Sequence, residues 1–116
     1  MRDDRVYLQH IADNIAVIEE YLRTETGIPD EQLFRSDGRT QDAVLRRLET
    51  LTEATAHLSD GFKERYRDAP WGQIYGFRNR LAHGYLELDL NVVWRVVSEY
   101  LPALKEVVRA EIGDVY

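Results

Sequence analysis

Apolar residues recur at helical spacing in four stretches of this 116-residue chain. Leu8, Ile11, Ile15, Ile18 and Leu22 follow one another at intervals of three and four, which places them on one buried helix face. That seam predicts a first helix from about Asp3 to Thr26, ended by Gly27 and Pro29. A polar connector follows, with Phe34 as its apolar anchor and Gly38 as a breaker. Thr40 fits an N-cap with Asp42 in the first turn, and Val44, Leu48, Leu51, Thr55 and Leu58 mark a second helix ending near Gly61. Pro70 suits the start of a third, shorter helix. It should reach about Ala82, with Gly84 as terminator. Asp89 can cap a fourth, whose seam is Val93, Val97, Tyr100, Leu104 and Val107. Pro102 falls inside that seam and predicts a kink or a break. No stretch alternates like a strand. Three long amphipathic helices and one short one, with short connections, predict an all-α antiparallel bundle of four to five helices. Residues 1–116 read as a single domain with a modest core.

Composition narrows the classes. No run of about 18 apolar residues exists, so no membrane-spanning segment is expected. The opening Met1-Arg2-Asp3-Asp4-Arg5 leads into the first helix without a leader-like apolar run. Cysteine is absent, which removes disulfides and thiolate metal sites. A cytoplasmic location is the expectation. The three histidines, His10, His57 and His83, lie in separate segments, so no metal site is expected. Without a glycine-rich phosphate loop, no nucleotide cofactor is expected either. The net charge of −6 does not fit a broadly basic nucleic-acid-binding domain. The charge is uneven, however. Between Gly61 and Leu86 five basic residues stand against two acidic ones, a net of +3 that leaves −9 for the remainder.

That basic stretch contains Arg78-Asn79-Arg80-Leu81-Ala82-His83-Gly84-Tyr85. Arginine grips phosphate oxygens as a planar, permanently charged fork. Histidine is the side chain best suited to moving protons near neutral pH. Those two chemistries suffice to cut RNA, whose own 2′-OH can act as nucleophile. Taken singly, a histidine at a helix end is also explained as a partner of the helix dipole. Spacing alone proves little, since Arg5 and His10 repeat it. Residues five apart are separated by about 140° around an α-helix, so Arg78 and His83 cannot share a face of a continuous helix. Asn79 and Arg80 can share one with His83. The helix can unwind before His83, helped by Gly84, or a second subunit can supply a matching motif across a two-fold axis; the expectation combines them, with His83 near the helix end and a paired site in a dimer.

The segment Pro70-Trp71-Gly72-Gln73-Ile74-Tyr75-Gly76-Phe77 followed by the eight motif residues resembles the HEPN family, in particular its HepT-type toxins. The signature of that family is Arg, four to six residues, His, one residue, Tyr. Arg78, His83 and Tyr85 fit its shortest form, with Asn79 as the polar residue after the arginine. The likeness extends upstream through Thr40 to Leu48 and downstream through Asp89, Val93 and Trp94. One departure is Thr52-Glu53-Ala54, where many relatives carry glycine before Glu-Ala; it bears on helix packing rather than on chemistry. The resemblance implies a HEPN-like two-fold homodimer acting as a metal-independent ribonuclease on RNA, with tRNA as one substrate class. Arg78 and His83 would be catalytic, with Asn79 and Arg80 supporting them. It also implies a partner, a minimal nucleotidyltransferase antitoxin of the MntA type, which silences the toxin by transferring AMP to Tyr85. The alternative is a non-catalytic module of the same fold that binds a nucleotidyltransferase or RNA.

Overall fold

The first seam forms α1 (Asp4–Tyr21), capped by the Asp3 carboxylate, which accepts from the Arg5 N–H. A computed structural model describes residues 3–84 and 87–113. The four seam residues within α1, and Leu22 at its C-cap, are all at most 3% exposed. The helix stops at Tyr21 rather than Thr26. Arg23 turns left-handed (φ 55°), and the Thr24 N–H and hydroxyl both donate to the Glu19 carbonyl at 3.0 and 3.1 Å, which closes the helix end. Gly27, at φ 82°, reverses the chain where a side chain would be strained.

Two six-residue helices that the apolar pattern did not predict fill the connectors. In α2 (Glu31–Ser36) the Asp30 carboxylate accepts from the Leu33 N–H at 3.0 Å. Its Phe34 is fully buried with the Trp94 ring 5.4 Å away. In α4 (Asp60–Arg65) the Ser59 hydroxyl accepts from the Phe62 N–H at 3.1 Å. Gly38 and Gly61 therefore lie inside first helical turns and do not break them. Between these short helices runs α3 (Gly38–Ala56), which starts three residues earlier than expected because Asp37, not Thr40, holds the cap position. Thr40 braces that cap, its hydroxyl donating to the Asp37 carboxylate at 2.6 Å. This hydrogen bond, ahead of any other influence, holds the Asp37 carboxyl below its ordinary range. Thr52, at the departure from the family pattern, is buried and donates to the Glu49 carbonyl at 3.2 Å, so the helix accommodates it.

Polar ties fix how the rods stack. The Ser59 N–H and hydroxyl donate to the Asp4 carboxylate at 2.9 and 2.7 Å, so the start of α1 meets the end of α3 and the two run antiparallel. After α5 (Trp71–Gly84), the last rod comprises α6 (Leu90–Arg95), a π turn (Val96–Tyr100) and α7 (Leu101–Ile112). Lys105 bonds to Glu19 at 2.8 Å, and Arg65 and Tyr66 both reach Glu111 at 2.8 Å. These pairs set α7 antiparallel to α1.

The interruption expected at Pro102 takes the form of the π turn just before it. Proline lacks the N–H that would bond the Ser98 carbonyl, and its ring crowds that carbonyl. Widening by one residue lets the Leu101 N–H bond back to the Val96 carbonyl, while the Ser98 hydroxyl donates to the Trp94 carbonyl at 2.7 Å. The rod continues without a break, as π turns permit. Among the described residues the protein is an all-α bundle, and no helix is long and apolar enough to cross a membrane.

Candidate active site

Helix α5 carries the motif, and its start is anchored firmly. The Trp71 indole donates to the Tyr66 carbonyl at 2.9 Å and lies edge-on to Phe62 at 6.3 Å. Phe62 also packs against the Tyr66 ring, tilted by 38° at 5.0 Å, so the short α4 acts as a clamp on the entry to α5. Ile74, Phe77 and Leu81 form the buried stripe, at the spacing a core-facing helix requires. Everything opposite that stripe faces solvent.

The motif residues take their places from this rotation. Asn79 and His83 lie near the exposed pole, four residues apart, and both are exposed. Arg78 sits on one flank, half-buried beside the stripe, and Arg80 on the other flank, exposed. Helix α5 remains helical through Gly84. The first of the two arrangements, unwinding before His83, is therefore not what the chain does, and about 140° of helix rotation separates Arg78 from His83. Tyr85 lies outside the described residues.

A shallow hollow of about 400 Å³ is lined by Asn79, Arg80, His83, Gly84, Glu87, Leu88 and Asp89. The fold thus brings Asn79, Arg80 and His83 together and leaves Arg78 out. The hollow is electrically mixed. Helix α5 contributes cationic and imidazole groups and no carboxylate. The connector beyond it contributes the exposed Glu87, together with Asp89, whose carboxylate is engaged by the Asn91 N–H at 2.8 Å. Glu87 was not legible as a site residue, because nothing in its own neighbourhood marks it. No hydrogen bond or ion pair joins Arg78, Asn79, Arg80 and His83 to one another among the described residues. Asn79, Arg80 and His83 are exposed, as groups must be that are to meet a substrate. His10 is exposed on α1 and His57 is exposed at the C-cap of α3, where it stacks on Tyr7 at 5.0 Å. Among the described residues no cluster of three His, Asp or Glu side chains is placed to hold a metal ion.

A family model described as ribonuclease HepT-like matches residues 11–111. The chain belongs to this family. A Thermococcus cleftensis protein named as a probable ribonuclease HepT is 38% identical over 104 residues, covering 90% of this chain and 91% of that protein. A Methanocaldococcus jannaschii protein, named as a gamma-glutamylcyclotransferase and candidate RNase, is 38% identical over 105 residues. That match covers 90% of this chain but 46% of the relative, so the chain spans about half the length of that protein. A candidate RNase of Caldanaerobacter subterraneus is 29% identical over 109 residues, 94% of each chain. No solved structure matches the chain. The HepT-like family match extends across all the long helices, and with the all-α bundle it agrees with the HEPN resemblance of the motif.

Proposed function

We propose that this HepT-like ribonuclease is a metal-independent endoribonuclease toxin, working as a two-fold dimer in which Arg78 of one protomer serves His83 of the other. The observation that carries this reading is the unbroken α5. It supports a site that one motif cannot complete, because the hollow beside His83 lacks the half-buried arginine on the opposite flank. Two copies of α5 meeting across a two-fold axis place each Arg78 within reach of the other hollow.

The chemistry then runs in one displacement. His83 takes the proton from the ribose 2′-OH, a role worth about 10²–10⁴-fold in rate. The O2′–P bond forms as the P–O5′ bond breaks, and the leaving 5′ oxygen takes a proton from water. The products are a 2′,3′-cyclic phosphate, or its hydrolysed 3′-phosphate, and a 5′-hydroxyl. Arg78 holds the phosphate and offsets the charge that builds on it in the transition state. Asn79 orients the phosphate or the imidazole, and Arg80 draws the strand toward the hollow.

In this account Tyr85 is the control point and a nucleotidyltransferase antitoxin the partner. The tyrosine oxygen attacks the α-phosphorus of ATP, losing its proton as pyrophosphate leaves, and each AMP so attached adds a phosphodiester anion that competes for the arginines and a base that blocks entry.

Purified protein is incubated with RNA in EDTA beside Arg78→Ala and His83→Ala variants. Cutting by the wild type alone, with cyclic-phosphate ends and none at a 2′-deoxy position, is the expected result. Loss of cutting in EDTA, or equal cutting of the deoxy substrate, refutes the mechanism. RNA binding with no cutting at all leaves a non-catalytic binding module. Co-expression with the nucleotidyltransferase should add AMP mass to Tyr85. Silencing that persists in an active Tyr85→Phe variant would remove the tyrosine as the switch.

A further inference from the structure

Arg80 belongs to two hollows, not one. Besides the depression at His83, it lines a larger groove of about 540 Å³ where α5 packs on α6 and the π turn. The floor of this groove is apolar, from the buried Phe77 and Val96, and Tyr100 forms part of its wall. Its rim carries Arg80, Arg95 and Gln73. Unlike the His83 hollow, it has no carboxylate in its lining. Glu99 engages only the Nε of Arg95, at 3.0 Å, with both side chains more than half exposed. A pair so open to water is weak, and it leaves the Nη edge of the guanidinium available. At Gly76, which also lines the groove, nothing lies within 4 Å of where a Cβ would stand, so the wall is low and open.

We propose that this groove is a second RNA subsite, in which Arg80 and Arg95 grip a backbone phosphate of the strand that continues beyond the bond being cut. The inference rests on the ribonuclease reading for its substrate class. Charge decides the occupant: in a chain of net charge −6, a groove with two arginines at its rim and no acid in its lining matches a polyanion. Guanidinium–phosphate pairs are the strong, directional form of that contact. A half-apolar floor beside an aromatic wall suits a base next to its phosphate. Arg80 is the joint, placed to lead one strand from the groove to the His83 hollow. Specificity for the nucleotide in the groove would come from Gln73, whose amide can both donate and accept.

The test uses the full-length protein and a labelled single-stranded 2′-O-methyl RNA, which cannot be cut, with binding followed by fluorescence anisotropy across a salt series. Arg95→Ala is expected to raise Kd about five- to tenfold. It should also lower the slope of log K against log salt by about 0.7, the single-strand value for one phosphate contact. Gly76→Leu, which fills the groove without touching charge, should weaken binding with the slope kept nearer the wild-type value. Arg46→Ala, on α3 and outside both hollows, should change neither. Unchanged Kd and slope in Arg95→Ala overturn the subsite, as does an equal loss in Arg46→Ala. A wild-type protein that does not bind the oligonucleotide overturns it too. Cleavage of unmodified RNA is followed in parallel. Binding that depends on Arg95 without wild-type cleavage keeps the subsite and removes the ribonuclease reading; cleavage with binding indifferent to Arg95 and Gly76 does the reverse.

Discussion

Replacing Phe62 by alanine removes the ring on which the entry to the motif helix is clamped. Phe62 is 2% exposed. It packs tilted against Tyr66, meets the edge of Trp71, and carries the Arg65 guanidinium 5.5 Å above its face. Truncating such a buried aromatic costs about 3–5 kcal/mol, part from lost transfer and part from the cavity left behind. Helix α4 is six residues long, too short to hold its shape unaided, so the cavity closes only if α4 shifts and takes the Tyr66 carbonyl away from Trp71. A chain of 116 residues has a total stability of about 6–17 kcal/mol and an unfolding entropy of roughly 0.24 kcal/mol per kelvin. A loss of about 4 kcal/mol then lowers Tm by about 16 °C. Thermal melts followed by circular dichroism, with urea unfolding as an independent measure, read this directly. Phe62→Leu should recover most of the loss, because it restores volume but not the ring contacts. A drop in Tm of less than about 4 °C for Phe62→Ala, equivalent to roughly 1 kcal/mol, would falsify the clamp.

His83→Ala should separate chemistry from folding. The side chain is exposed and has no hydrogen bond among the described residues, so Tm should stay within about 3 °C while RNA cleavage falls by about 10²–10⁴-fold; a large loss of Tm would mean a structural role. Glu111 gives a pH test. The Tyr66 hydroxyl and then the Arg65 guanidinium hold its carboxyl below the ordinary value of 4.5. A depressed folded value stabilises the fold above the unfolded value, and that stability is lost as pH falls through the folded one. Glu111→Gln should therefore lower the urea midpoint at pH 7 and match the wild type in strong acid; a difference that persists there contradicts the assignment.

Much of the bundle was legible because burial and period coincide. Every residue of the α1 seam is in the core, and Asp89 caps α6 as its position suggested. The six-residue helices escaped because so short a run shows hardly one apolar repeat. The signal that could have found them is chemical: Asp30 and Ser59 each cap the N–H three residues on. Gly38 and Gly61 misled because a first helical turn tolerates glycine that a bare pattern reads as a stop, with Ser59 capping the turn at Gly61 and Asp37 at the cap position before Gly38. At Pro102 the sequence indicates that α-geometry must yield, but not that a π turn takes up the change. Asn79, Arg80 and His83 share one hollow and Arg78 stands apart from it, as the 140° between positions five apart on a helix requires. Arg95 and Glu87 were invisible, because they reach the motif only through the packing of α5 against the last rod and the connector between them.

The shared site is tested most directly by mixing two dead variants. Arg78→Ala and His83→Ala protein are each assayed alone, then unfolded together, refolded and assayed again, with native mass spectrometry counting mixed dimers. Random pairing makes about half the dimers mixed, and each mixed dimer regains one of its two sites. Each variant alone should stay at background, and the mixture should recover about a quarter of wild-type cleavage. Mixed dimers that form and remain at background would contradict the shared site, because Arg78 and His83 would then have to act within one chain.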